Sequence, residues 1–156
     1  PFHSQVLLEM AQIYMAKDQW LSAALLLEEG ARKNQSLSFE AGELMRQLGK
    51  PYRARFLNSS TLDQKKRLKQ KLALFVEDEN YHSLVSLIPA LRQEALLDNQ
   101  EIRYAVAYSL FRTGDFKKSE KQLGMINDGE LFEKSMELKK EMDSCREKKW
   151  ACSEVL

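Results

Sequence analysis

Apolar residues return every third or fourth position along almost the whole chain, and nowhere do they alternate at period two for long enough to build a strand. Val6, Leu7, Met10, Ala11, Ile13 and Tyr14 predict a first helix with Ser4 as its cap. The polar turn Lys17-Asp18-Gln19 separates it from a second, carried by Trp20, Leu21, Ala23, Ala24, Leu26 and Leu27. A third runs from about Ser38 to Leu48 and stops at Gly49, a residue that takes the left-handed conformation at a helix end without steric cost. Pro51 then suits the first turn of a short fourth helix that fades at Asn58-Ser59-Ser60. Thr61-Leu62-Asp63-Gln64 has the form of a capping box for a fifth helix through about Glu77. Asn80 is positioned to cap a sixth, which Pro89 should kink or break. Asp98-Asn99-Gln100-Glu101 reads as another capping box, for a helix ending at Thr113-Gly114, and Asp115 caps the next, Phe116 to Ile126. After the turn Asn127-Asp128-Gly129 a charged helix runs from about Glu130 to Lys149. The fold class expected is therefore all-α, with about nine helices in short-looped, antiparallel succession.

Self-similarity decides between a bundle and a stack of helix pairs. Aligning Ala11 with Ala107 sets Tyr14 on Leu110, Trp20 on Phe116, Ala23 on Ser119 and Leu27 on Leu123. A third copy sets Tyr81 on Phe116, Leu72 on Ala107, Phe75 on Leu110, Leu84 on Ser119 and Ile88 on Leu123; a second keeps Leu44, Tyr52 and Ala54. With Arg112-Thr113-Gly114-Asp115-Phe116 as its clearest fragment, the pattern resembles the tetratricopeptide repeat. The resemblance implies an antiparallel helix-pair solenoid in one domain over residues 1–156. Repeats would span 4–35, 38–60, 61–97 and 98–127, the middle two degenerate, with a capping helix at 130–150. Small residues at Ala11, Ala23 and Ala107 would mark the closest helix crossings, whereas leucine at Leu72 and Leu84 would hold the third pair further apart.

The resemblance also implies a concave inner surface that takes a peptide. Carrying the family's offsets over places Gln5, Leu8, Gln12 and Met15 there from the first copy and Phe39 and Arg46 from the second. Lys69, Ala73 and Val76 come from the third, and Tyr104, Tyr108 and Phe111 from the fourth. Tyr108 and Arg46 are the leading anchors, since tyrosine and arginine concentrate binding energy at interfaces, while Tyr104 and Phe111 read equally well as core. The paired Lys and Asn clamp by which chaperone-binding relatives hold a terminal carboxylate is missing.

Composition narrows the chemistry. Hydrophobic residues make up 44% and charged residues 30%, and no apolar run approaches the length of a bilayer span. Net charge is only +1 but uneven: residues 1–45 carry −3, residues 46–71 carry +8 and residues 72–156 carry −4. The basic run Lys65, Lys66, Arg67, Lys69, Lys71 reads first as a solvated helix face; its functional alternatives are an acidic partner, a nucleic-acid backbone or an anionic surface. A pI of about 8.2 and the want of interleaved aromatics weigh against nucleic acid. His3 and His82 stand far apart, and no phosphate loop, nucleophile elbow or zinc motif occurs, so no catalytic, cofactor or metal residue is assigned and no small-molecule substrate is expected.

Cys145 and Cys152 are the only cysteines. On an unbroken helix their Cα atoms would lie about 10 Å apart, beyond the roughly 7 Å a disulfide permits. A bridge requires the chain to turn back after Trp150 and would place the protein in an oxidising compartment; two free thiols are the alternative. Beginning at Pro1, the chain reads as a piece of a longer protein. Glu101-Ile102-Arg103-Tyr104-Ala105 through Phe116, with Trp150-Ala151-Cys152, is similar to periplasmic tetratricopeptide proteins of TonB-type systems. The reading reached is a non-enzymatic scaffold that binds a protein or peptide, in the periplasm or cell envelope. The rivals are self-association and binding of an acidic, nucleic-acid or anionic partner through residues 64–71.

Overall fold

The structure, a computed structural model, describes residues 2–147. Among those residues it is all-helical, with ten α-helices, two short 3-10 turns and no strand. Ten replaces the expected nine because Pro89 divides the sixth. The chain forms two compact units, Pro1–Leu74 and Phe75–Leu156.

In the first unit α1 (Phe2–Ala16), α2 (Trp20–Lys33), α3 (Ser38–Gln47) and α4 (Pro51–Ser59) pack each on the next, and α5 (Gln64–Glu77) begins here and ends in the second unit. The sequence closes α1 and α3 in the same way. Asp18 and Gly49 adopt left-handed backbone, with φ of 58° and 66°. The amide of Gln19 then donates to the Tyr14 carbonyl and that of Lys50 to the Met45 carbonyl, six residues spanned in each case. Asp18 and Gly49 themselves donate to Met15 and Arg46. This reciprocal pair satisfies carbonyls a helix end would leave orphaned and starts the next helix two residues on.

Small residues line the core of this unit. Ala11, Ala23, Gly42 and Ala54 are buried, and a Cβ on Gly30 would come within 2.8 Å of both Leu7 and Leu37. Around them Leu27, Leu37, Leu44, Met45, Leu57 and Leu74 fill the core; each such side chain contributes about 1.5–3 kcal/mol on burial. Polar side chains are buried here too, Asn58 and Gln70 among them. Asn58, 31 residues after Leu27, donates to Gln70 Oε1 at 3.1 Å and to the Arg67 carbonyl at 2.9 Å, and Gln70 Nε2 donates to the Phe39 carbonyl at 3.1 Å. Those bonds tie α3, α4 and α5 together without an unsatisfied amide.

The second unit holds α6 (Tyr81–Ser86), α7 (Ile88–Gln93), α8 (Gln100–Arg112), α9 (Phe116–Leu123) and α10 (Gly129–Glu147). Glu79 and Gly114, with φ of 51° and 82°, repeat the closing turn seen twice in the first unit. Asn80 donates to the Phe75 carbonyl and Asp115 to that of Leu110. The side chains of Asn80 and Asp115 then accept from the amides of Ser83 and Lys118, each at 3.2 Å, capping α6 and α9. Lacking an amide hydrogen, Pro89 interrupts the ladder, and α6 stops before Leu87. At the α8–α9 crossing the buried Ser119 hydroxyl donates to the Ala107 carbonyl at 2.7 Å. Helix α10 lays Ser135, Leu138, Met142 and Cys145 against this pair.

Three caps differ from expectation. Ser4 lies inside α1 rather than at its cap. Asp63, not Thr61, accepts from a first-turn amide, that of Lys66 at 2.9 Å, while Thr61 is buried with its hydroxyl directed to the Leu57 carbonyl. Asn99, not Asp98, caps α8 through the Ile102 amide at 2.9 Å. In the last two cases neighbouring residues could all cap, and packing selected which amide faced which side chain.

Candidate functional site

The first unit contains a hollow of about 240 Å³ between α1 and α3. Its walls are Leu8, Ala11, Gln12 and Met15 of α1, Leu27 of α2, and Phe39, Glu40, Glu43 and Leu44 of α3. Spacing explains the convergence. Leu8, Gln12 and Met15 follow each other at four and three residues and so share one stripe of α1. Phe39 and Glu43 stand 31 residues after Leu8 and Gln12, the same interval that separates Asp18 from Gly49. The floor is apolar; one rim carries two carboxylates.

Those carboxylates are held. Glu43 accepts from Arg46 Nε at 3.1 Å and makes a second, shorter contact with Arg46 Nη2; Gln47 and Gln70 add weaker bonds. The Arg46 bonds, working against partial burial, pull the Glu43 carboxyl below its ordinary range. Glu40 Oε1 accepts from Lys66 Nζ at 3.0 Å, and the same ammonium sits 4.8 Å from the Phe39 ring centre. The other Glu40 oxygen is buried with no hydrogen-bond partner among the described residues.

Of the residues expected to face a partner, Leu8, Gln12, Met15 and Phe39 therefore meet at one hollow. Gln5 is exposed on α1, where its amide donates to Glu9 at 3.1 Å. Arg46 is half-buried and serves Glu43 rather than standing free as an anchor. Lys69 is exposed and Ala73 half-buried on α5. Sequence reasoning passed over Glu40 and Glu43, although the 31-residue interval would have pointed to Glu43 as the counterpart of Gln12.

In the second unit Val76 is exposed, and Tyr104 and Tyr108 are half-buried beside the core. Phe111, which the family's offsets place on the inner surface and which reads equally well as core, is 1% exposed: its ring stacks on Phe116 at 5.6 Å and belongs to the core. Tyr108 meets Tyr81 edge-on at 5.6 Å and accepts from Arg112 Nη1 at 3.2 Å, while the Arg112 guanidinium lies 4.6 Å over the Tyr81 ring. Desolvation pushes the phenols of Tyr81 and Tyr104 above their ordinary range.

The basic run is less free than its composition implies. Lys66 is engaged by Glu40, and Arg67 turns back to Gln64, whereas Lys65 and Lys69 are exposed. Lys71 also has an interaction partner. Cys145 is buried against the second core; Cys152, its expected partner, lies outside the described residues, as do Trp150 and Ala151. Among the described residues no three His, Cys, Asp or Glu side chains are grouped to hold a metal, and no helix is long and apolar enough to cross a membrane. No protein-family model, curated protein or solved structure matches the chain.

Proposed function

We propose that the chain is a non-enzymatic scaffold of tetratricopeptide-like helix pairs that holds a partner peptide in the hollow between α1 and α3. The observation that carries this reading is the convergence of Leu8, Gln12, Met15 and Phe39 on one apolar recess. Two further features support it. Four helices, α1, α3, α5 and α8, end in the same left-handed turn and are each followed two residues later by a new helix, which is the local geometry of a helix-pair repeat. Small buried residues also recur along the helix pairs, Ala11, Ala23 and Ala54 in the first unit and Ala107 and Ser119 in the second, where the Ser119 hydroxyl bonds the Ala107 carbonyl.

A matching ligand is a peptide that places one medium-sized apolar side chain in the recess. Burying such a side chain contributes about 1.5–3 kcal/mol before ordering costs, enough for a selective but modest contact. A photo-crosslinking residue placed at Gln12 should capture a protein or peptide from the native source, and Met15→Lys in the same chain should abolish the capture. Crosslinking unchanged by Met15→Lys, or equal from a control position at Lys117, would remove the hollow as the binding site.

A further inference from the structure

The second unit has a hollow of its own, of about 420 Å³. Arg92 of α7, Arg103 of α8 and Lys121 of α9 all line it, with Asp98 as its one acid and Leu97 and Met125 as its apolar wall. The turn at Ala95 gathers these elements. With a left-handed φ of 55°, Ala95 leads the chain from α7 into the 3-10 turn Leu96–Asp98, which packs on both α7 and α8. Alanine takes that conformation only against steric cost, which folds retain most often where a site has to be shaped.

Local structure accounts for two of the cations. Arg92 and Lys121 stand in the last turns of α7 and α9, where the carbonyl end of a helix favours positive charge. Arg103 is different. It is the fourth residue of α8, close to the amide end that disfavours a cation, and it is half-buried. Its Nη1 donates to two neutral acceptors, Gln122 Oε1 at 3.2 Å and Met125 Sδ at 2.9 Å, and its Nε is buried with no partner among the described residues. Among those residues none of the three cations forms an ion pair, with Asp98 or with any other carboxylate. The fold thus holds a guanidinium partly out of water without supplying a charge to offset it.

The charge balance selects a ligand. Three positive charges against one negative leave the hollow at +2. A phosphomonoester carries about −1.5 to −2 at neutral pH and presents three strong acceptor oxygens, which the forked guanidinium groups of two arginines match in geometry. A single carboxylate or a phosphodiester brings only one charge. A nucleic-acid backbone is met by a row of cations along a groove, not by three converging on one recess. The volume is that of a small-molecule site, and Leu97 and Met125 give the organic part of such a ligand an apolar surface.

We propose that this hollow binds a small organic phosphomonoester, held as a ligand and not transformed, independently of whatever the recess between α1 and α3 holds.

Calorimetric titration of the intact chain with phenyl phosphate tests it. Phenyl phosphate should bind, and benzoate, with one charge on the same ring, should bind about tenfold more weakly. Arg103→Gln should weaken phenyl phosphate about tenfold or more, because hydrogen bonds to a charged group are lost. Arg92→Gln with Lys121→Gln should weaken it about tenfold with circular dichroism unchanged, since both side chains are exposed. Asp98→Asn should instead tighten binding about threefold by removing the one repelling charge. No heat with phenyl phosphate at millimolar concentration overturns the proposal, as does binding that ignores the exposed double substitution or does not rise with Asp98→Asn. Tighter binding of a phosphoserine peptide than of phenyl phosphate, by about tenfold or more, also overturns it, because the hollow would then be part of a docking surface for a chain.

Discussion

The two units solve the same local problem with the same turn and then spend their side chains differently. In the first, small residues lie in the core, the side-chain amides of Asn58 and Gln70 bond each other there, and large apolar side chains are left at the recess and on α2 and α4. In the second, rings fill the space. Tyr81, Tyr108, Phe111 and Phe116 touch in sequence, Arg112 lies over the tyrosines, and the outward positions Ser86, Lys117 and Lys121 are polar. The lesson is that the helix pair needs only its closing turn and a close crossing. Everything facing away from the crossing is open to selection for other ends, and on α2 and α4 the first unit leaves Leu21, Leu25, Tyr52 and Phe56 exposed.

The sharpest way to strain this contrast is to exchange the packing strategies. Phe111→Ala should cost the second unit about 3–5 kcal/mol, because stacked neighbours cannot collapse onto the void. Ala23→Leu should cost the first unit about 1–3 kcal/mol by forcing α1 and α2 apart. Urea unfolding followed by segment-resolved hydrogen exchange would assign each loss, and a loss confined to the other unit would contradict the division of the core.

The units should also respond to opposite ends of the pH scale. Glu43 is depressed by its bonds to Arg46, so the stability it contributes is complete above the ordinary carboxylate pKa and disappears as pH falls through the lowered value. Tyr81 is raised by desolvation, so its contribution is complete below the ordinary phenol pKa and fades as pH rises through the raised one. Acid should therefore loosen the α3 region first and alkali the α6–α8 region. Glu43→Gln and Tyr81→Phe should flatten those responses in the corresponding segments of an exchange experiment.

The smallest effect lies in the turns. Glu79 holds a left-handed backbone that glycine adopts freely, and Gly114 already occupies the equivalent position one pair later. Glu79→Gly should stabilise the protein by up to about 1 kcal/mol, read as a rise in the urea midpoint. A fall would mean that the Glu79 side chain contributes more than its strained backbone costs.

Much of the secondary structure was legible because its signals are local. Period, Gly49, Gly114, Pro51, Pro89, Asn80 and Asp115 each act within one turn of the chain, and each element they mark is present. Asp18 and Glu79 were harder to read, since an acidic residue in left-handed conformation leaves no composition signal; only the 30- to 35-residue intervals between turns betray it. The errors have one source. Thr61 or Asp63, and Asp98 or Asn99, are alternatives that local chemistry ranks equally, and the direction in which the incoming chain packs selects between them.

The site was legible in halves. Leu8, Gln12, Met15 and Phe39 could be placed on one surface by offset alone, but whether Phe111 lines that surface or fills the core is not a property of its spacing. Phe116 and α10 decide it by covering the ring. Likewise Arg46 advertises an anchor until Glu43, one turn away on the same helix, claims its guanidinium. The sequence alone determined where helices start, stop and show their apolar stripes, because those depend on neighbours within a few residues. Only the tertiary structure decided which part of each stripe is consumed by packing and which stays open to a partner, because burial depends on side chains brought together from distant parts of the chain.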